Sequence, residues 1–265
     1  MLIYITINMN NITILSIVLF VCILFILYKF PSLNKDKVNR YMKTSSTVSD
    51  YDKLVDIYCF EVGGKEHWAV VYGNPEKDKF PLVRIQSQCV SGMELDDSEC
   101  DCKQNLIYSK KMITENKNGG ILFLLDQDGR SLGGIEKLIE KKMRMDKFMN
   151  KKTIIETKNK VFLDFRDYNY LPTCLKLMGY SNNIRLITRF PGRVRDLQKS
   201  GINVVEIVEY PYTITSDNSK YLQMKKCSRG FDFKEIKCDD YNSKIDKNIE
   251  LGTGRILRER DFSKI

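Results

Sequence analysis

The sequence predicts an α/β fold, a layered sheet with alternating strands and helices, and three observations predict it. Short apolar runs such as GGILFLLD and INVVEIVEY are bounded by glycine or charged residues, as buried strands are. Between them lie amphipathic stretches with near-helical spacing of their apolar positions. The two patterns take turns along the chain, which favours strands joined through helices over a bundle or a sandwich.

Taken in order, HWAVVYG and PLVRIQS read as early strands, and GGILFLLD (119–126) as a buried one. A long helix is expected over 132–149, its apolar face carrying Leu132, Ile135, Leu138, Ile139, Met145, Phe148 and Met149. VFLDF is the next expected strand, and LPTCLKLMG a helix stopped by Gly179. IRLIT, GRVRDLQKSG and INVVEIVEY then read as strand, helix and final strand. Residues 51–230 form the expected folded body, and the charged, weakly periodic stretch 231–265 a tail. Residues 31–50, rich in Ser, Thr, Lys and Asn, read as a flexible linker. Residues 12–28 contain no charge, so 1–30 is expected to be a transmembrane anchor. Lys29, Lys35, Lys37, Arg40 and Lys43 follow that run and no Lys or Arg precedes it. The positive-inside rule then predicts a single-pass membrane location with the body on the cytoplasmic side.

The formal charge of +9 favours an anionic partner: a nucleotide, nucleic acid or an anionic lipid surface. Nucleic acid is not expected, because no recognised module is present and the aromatics are not spaced as a stacking platform. Three expected strand ends carry DQDGRS, DFRDY and TRFPGR, each with an arginine, and ligands of open α/β sheets sit at such ends. Arginine forks suit phosphate, so this edge predicts a polyanion site.

Eight cysteines accompany one histidine, and Cys89, Cys100 and Cys102 form C-x10-C-x-C. In a reducing cytosol clustered thiols suit a metal or catalysis better than disulfides. Three thiolates leave one position of a tetrahedral zinc open, as hydrolytic zinc requires. Completion by His67 or Cys59 would instead make a closed structural site, and both arrangements remain open at this stage. Cys59, Cys174, Cys227 and Cys238 are expected as unreactive packing or surface residues.

The stretch RIQSQCVSGMELDDSECDC resembles the zinc signature of GTP cyclohydrolase II, R-[VI]-H-S-E-C-x10-C-D-C. The likeness continues in order: ILFLLDQDGRSLGGIEKL is similar to the family's strand, Q-E-G-R-x-I-G turn and helix, and DFRDY to its D-x-R-D-[YF] element. IRLITRFPGRVRDLQKSGINVVE is similar to R-L-[LM]-T-N-N-P-x-K leading into G-[IL]-x-V-V-E, and HWAVVYG to the family's early strand. Together these cover residues 67–209.

The resemblance implies a zinc-dependent hydrolase that opens the imidazole ring of GTP and releases formate and pyrophosphate, the first step of riboflavin biosynthesis. It implies one zinc per chain on Cys89, Cys100 and Cys102, and magnesium with the triphosphate. The substrate, GTP or a related purine nucleotide, would meet Arg84, Ile85, Gln86, Ser87, Gln88, Asn105, Asp128, Gly129, Arg130, Thr153, Thr188 and Arg193. Asp164 and Arg166 match the proton acceptor and the nucleophile toward the α-phosphate, although a guanidinium that stays protonated is better suited to stabilising charge there. The family also implies a homodimer.

The chain departs from the family pattern at Gln86 and Gln88 (for His and Glu), Asp128 (for Glu), Asn105 (for Gln), Lys141 (for Tyr), and Arg189 and Phe190 (for two Asn). These motivate an alternative, a catalytically altered or inactive membrane-tethered purine-nucleotide-binding protein with a structural zinc.

Overall fold

A computed structural model describes residues 37–145 and 164–238 of the chain. Among these, seven strands form one sheet in the order β1 (Val38–Val48), β2 (Tyr51–Val62), β3 (Lys65–Gly73), β5 (Gly119–Leu125), β4 (Leu82–Ser87), β6 (Asn183–Ile187) and β7 (Asn203–Val208). The side running from β1 to β5 is antiparallel, whereas β5, β4, β6 and β7 lie parallel to one another. The helices are α1 (Cys102–Glu115), α2 (Gly134–Met145), α3 (Leu171–Leu177), α4 (Pro191–Lys199) and α5 (Ser219–Arg229).

The uniformly apolar β5 shows why the chain layers. Ile121, Phe123 and Leu125 enter one core with Leu171, Cys174 and Leu175 of α3 and Leu197 of α4. Leu122 and Leu124 face the other way, onto Leu106, Met112 and Ile113 of α1. A strand covered on both faces has no polar side to offer, so it reads as a continuous apolar run. The α/β class expected from the sequence is the one found.

This topology positions the site. Parallel β4, β5 and β6 end at the same edge, so the chain after Ser87, Leu125 and Ile187 emerges there together.

Several expectations change. Residues 38–48, read as linker, form edge strand β1, held by its ladder to β2 rather than by burial. The VFLDF strand is not found in its described part, since 164–168 is irregular chain beside the site. Helix α2 runs Gly134–Met145, and the rest of the expected 132–149 helix lies outside the described residues. The expected tail begins as packed chain, with Phe233 fully buried. Cys227 and Cys238 are joined by a disulfide, whereas Cys174 is a buried thiol and Cys59 a half-buried one, as packing residues are.

The expected membrane location is corrected. Among the described residues no helix is long and apolar enough to cross a membrane. The longest, α1, has 14 residues, a rise of about 21 Å against a hydrocarbon core of about 30 Å. The run expected as an anchor, 1–30, lies outside the described residues.

Candidate active site

Three sulfurs converge where β4 ends. Cys89 follows the strand, its Sγ accepting from the Gly92 N–H at 3.3 Å across a single wide helical turn, Val90–Glu94. That turn and the loop after it bring Cys100 and Cys102 back at the start of α1. The ligand atoms of the three cysteines all lie within 4.8 Å of one another, Cys89 and Cys100 at 3.6 Å. Neither His67 nor Cys59 joins them. His67 Nδ1 instead accepts from the Asp126 N–H at 3.1 Å and its ring stacks on Tyr170, while Cys59 sits opposite Trp68 in the β2–β3 ladder.

The donor set fits a thiophilic ion. A Cβ at Gly92 would collide with the Cys100 sulfur and stand 3.0 Å from that of Cys89, so the bare glycine keeps room for the cluster. Three thiols this close share charge unequally. Cys89 is pushed well down by hydrogen bonds from Cys100 and Cys102 and by Lys137, whereas Cys102 is raised by its hydrogen bonds with Cys100 and Cys89 and by burial. Lys137 of α2 donates to Cys89 Sγ and lies 3.6 Å from Asp128. A cation against three thiolates and a divalent ion brings the cluster close to neutral.

The turn after β5 is built by an unusual backbone. Gly129, Arg130 and Ser131 all have left-handed φ, at 55°, 63° and 65°, a conformation that disfavours side-chain-bearing residues and collects at functional sites. Asp128 secures it: Oδ1 accepts from the Gly129 N–H at 2.7 Å and Oδ2 from the Val90 N–H at 3.1 Å, tying this turn to the cysteine loop. Asp128, Gly129 and Arg130 line the same cavity as Cys89, Cys100 and Cys102.

Arg166 also lines that cavity, and the partly buried Asp164 pairs with it. Arg166 Nε donates to Asp164 Oδ1 at 2.9 Å and Nη2 bonds Oδ2, a fork on a carboxylate. Burial alone would raise the Asp164 carboxyl, but the guanidinium overcomes it and holds the pKa well below the usual carboxylate range. In the same way burial opposes the Arg166 charge and Asp164 restores it, so Arg166 is a fixed cation.

Of the other expected substrate residues, Arg84, Gln86, Ser87, Gln88, Asn105, Thr188 and Arg193 line the cavity. Gln86 Oε1 accepts from Arg84 Nε at 3.1 Å, and Arg84 Nη1 donates to the Ile187 carbonyl at 3.0 Å. Asn105 Nδ2 donates to Asp101 Oδ2 at 2.9 Å. Thr188 Oγ1 accepts from the Phe190 N–H at 3.1 Å. Ile85 differs: its side chain is in the core, and its carbonyl accepts from Arg193. Thr153 lies outside the described residues.

Sequence reasoning missed several lining residues. Lys137 sits one helical turn before Lys141 on α2, and that spacing was a readable signal. Lys141 is held by Asp97 at 2.7 Å. Gln127 is the more telling omission. Its Nε2 donates to the Asp167 carbonyl at 2.6 Å and to Tyr170 at 3.2 Å, which fixes the amide and turns Oε1 to a place without a partner. Ser87 Oγ, Ser91 Oγ and Arg193 Nε are likewise buried without a hydrogen-bond partner among the described residues, and all four residues line this cavity. Unsatisfied buried polar atoms are rare in folded chains, and their collection in one cleft marks a polar ligand site.

The pattern of the family described as GTP cyclohydrolase II matches residues 42–209. A GTP cyclohydrolase-2 of Vibrio cholerae is 33% identical over 165 residues, 61% of this chain and 79% of that protein. Riboflavin biosynthesis protein RibBA of Chlamydia muridarum is 28% identical over 197 residues, 74% of this chain and 46% of that protein. Riboflavin biosynthesis protein VVA0006 of Vibrio vulnificus is 33% identical over 171 residues, 64% of this chain and 45% of that protein. The chain thus spans just under half the length of the latter two relatives.

Proposed function

The chain belongs to the GTP cyclohydrolase II family, and we propose that it is a zinc-dependent hydrolase that opens the imidazole ring of GTP, releasing formate and pyrophosphate, at the entry to riboflavin synthesis. The observation that carries this reading is the meeting of three cysteine sulfurs with Arg130, Arg166 and Arg193 in one cleft at the ends of parallel strands.

Cys89, Cys100 and Cys102 would hold the zinc. Lewis acidity that makes water nucleophilic near neutral pH is the chemistry zinc supplies at such a site. Lys137 offsets the excess negative charge of the thiolates and steadies Cys89. Arg166, aligned by Asp164, presents a permanent positive charge to the α-phosphate as pyrophosphate leaves. Arg193 Nε is a donor suited to a phosphate or carbonyl oxygen, and Gln127 Oε1 a fixed acceptor suited to an N–H of the purine. Magnesium would accompany the triphosphate in the same reading and would offset its charge.

The test is incubation of the full chain, loaded with zinc, with GTP and magnesium. Formate and pyrophosphate in equal amounts are expected. Release of neither from folded, zinc-bound protein overturns the reading. Pyrophosphate without formate would favour the altered enzyme suggested by Gln88 and Lys141, neither of which supplies a free carboxylate or phenol to the pocket.

A further inference from the structure

The family match ends at residue 209, yet the cleft does not. Tyr221, Lys225 and Phe231 line it as well, the first two on α5 and the third just after it. Resting on the metal reading above, we infer that Lys225 is a positioning residue for the cysteine cluster. It acts through Asp101 to hold the turn that carries Cys100 and Cys102.

Asp101 lies between those two cysteines and immediately precedes α1. An aspartate at a helix start ordinarily accepts from the first turn of backbone, yet this carboxylate makes no such bond. It faces α5 instead. Lys225 Nζ donates to Oδ1 at 2.6 Å and to Oδ2 at 2.8 Å, and Asn105 Nδ2 adds a third bond, to Oδ2, at 2.9 Å. Both members of the ion pair are only 6% exposed. A carboxylate buried without its cation is strongly destabilising, so the pair fixes where the turn sits.

Lys225 can serve as a fixed point because it is itself enclosed. Its Nζ lies 4.9 Å from the ring centroids of both Tyr221 and Phe231. Phe231 stacks on Phe190 with ring centroids 4.5 Å apart, and on Phe233 at 5.8 Å. Arg189 Nη1 donates to the Asp232 carbonyl at 3.0 Å, and the Asp232 N–H returns a bond to the Arg189 carbonyl at 2.9 Å. Arg189 and Phe190 stand where the family carries asparagines, so two departures from its pattern help to dock α5. The Cys227–Cys238 disulfide closes the chain that carries these groups. The cluster is thus held from two directions. Lys137 of α2 and the Gly92 N–H hold Cys89, while Lys225 holds the turn between the other two sulfurs.

The test is the zinc affinity of the full chain, read by competition with a chromophoric chelator, together with the absorption bands of the cobalt-loaded protein. Lys225→Met is expected to weaken zinc by about tenfold to a hundredfold, the range for losing a group that orients a metal's ligands. The cobalt bands should shift as the sulfurs move. Lys225→Arg keeps a cation for both carboxylate oxygens and should stay nearest the wild type. The double variant Asp101→Asn with Lys225→Met leaves no charge buried alone, so it keeps the fold. Without the tie it should bind zinc as weakly as the single variant. Wild-type zinc affinity and cobalt bands in folded Lys225→Met, or in the folded double variant, overturn the inference. Equal weakening in Phe190→Ala also overturns it, since any loosening of α5 would then act on the metal. Weakened zinc in Lys225→Met, beside a wild type that releases neither formate nor pyrophosphate, sinks the hydrolase reading and leaves this one standing. Turnover with unchanged zinc affinity sinks this one alone.

Discussion

The two sides of the cleft are built on different principles. The sheet side comes from the ends of β4, β5 and β6, where parallel strands deliver the cysteine loop, the left-handed turn at Gly129 and the Thr188 segment to one edge. The opposite side, α5 and the chain after it, has no strand to place it and is held by side chains distant in sequence, such as Lys225 on Asp101. Backbone topology therefore fixes the sheet side, while the other side depends on a few contacts that can change without disturbing the sheet. The chemistry assigned to the thiols belongs with the sheet side, and adjustment of substrate contacts with the docked one.

The most damaging way to probe the sheet side is Cys102→Ser. Elemental analysis is expected to fall from one zinc per chain to nearly none, with formate release lost, because two sulfurs no longer make the set. Retention of a full zinc complement would break the comparison. Arg166→Ala should come next, with turnover down by about a hundredfold to a thousandfold and zinc unchanged. Its melting temperature should also drop, since the variant leaves the Asp164 carboxylate of a part-buried ion pair without its guanidinium.

Gly92→Ala tests the fit of the sulfur cradle. The added methyl meets two of the three sulfurs, and zinc affinity should weaken by about tenfold to a hundredfold, the range seen when the surroundings of a metal site are disturbed. Phe190→Ala addresses the docked side through the stack on Phe231. It should raise KM for GTP several-fold, with zinc content unaltered and a smaller change in kcat. A loss of zinc in that variant would mean the two sides are not separable.

The smallest expected effect is on the pH dependence of stability. Burial lowers the His67 pKa to about 4, from an ordinary value of about 6.5. Between those values the unfolded chain binds a proton that the folded chain refuses, so stability is full above about pH 6.5 and drains as pH falls toward 4. Urea midpoints measured across that window should slope less in His67→Gln than in the wild type. An identical slope would show that His67, which steadies the β5 turn through Asp126, does not titrate as its burial requires.

The differing legibility of the two sides follows from range. The spacing of Cys89, Cys100 and Cys102, the DQDGRS turn and the arginine-bearing DFRDY and TRFPGR stretches are local patterns, and each reached the cleft, although DFRDY follows no strand among the described residues. β1 was hidden because a polar edge strand buries little and shows no alternation, its stability lying in the ladder to β2. Ile85 was named within a motif, yet the two-residue period of a strand turned it to the core while Arg84 and Gln86 faced the cleft. Cys227 and Cys238 gave no sign of pairing, since pairing depends on how α5 ends and the chain returns.

By itself, the amino-acid sequence determined the alternation of apolar runs and helices, the trio of thiols and the cationic strand ends, because periodicity and short spacings are set within a few residues of chain. Only the tertiary structure decided which side chains face the cleft, that the single histidine stands apart from the sulfurs, and that a segment beyond residue 209 closes one side. The physical reason is that those outcomes rest on contacts such as Lys225 with Asp101 and Phe231 with Phe190. Their partners become neighbours only after the sheet has formed.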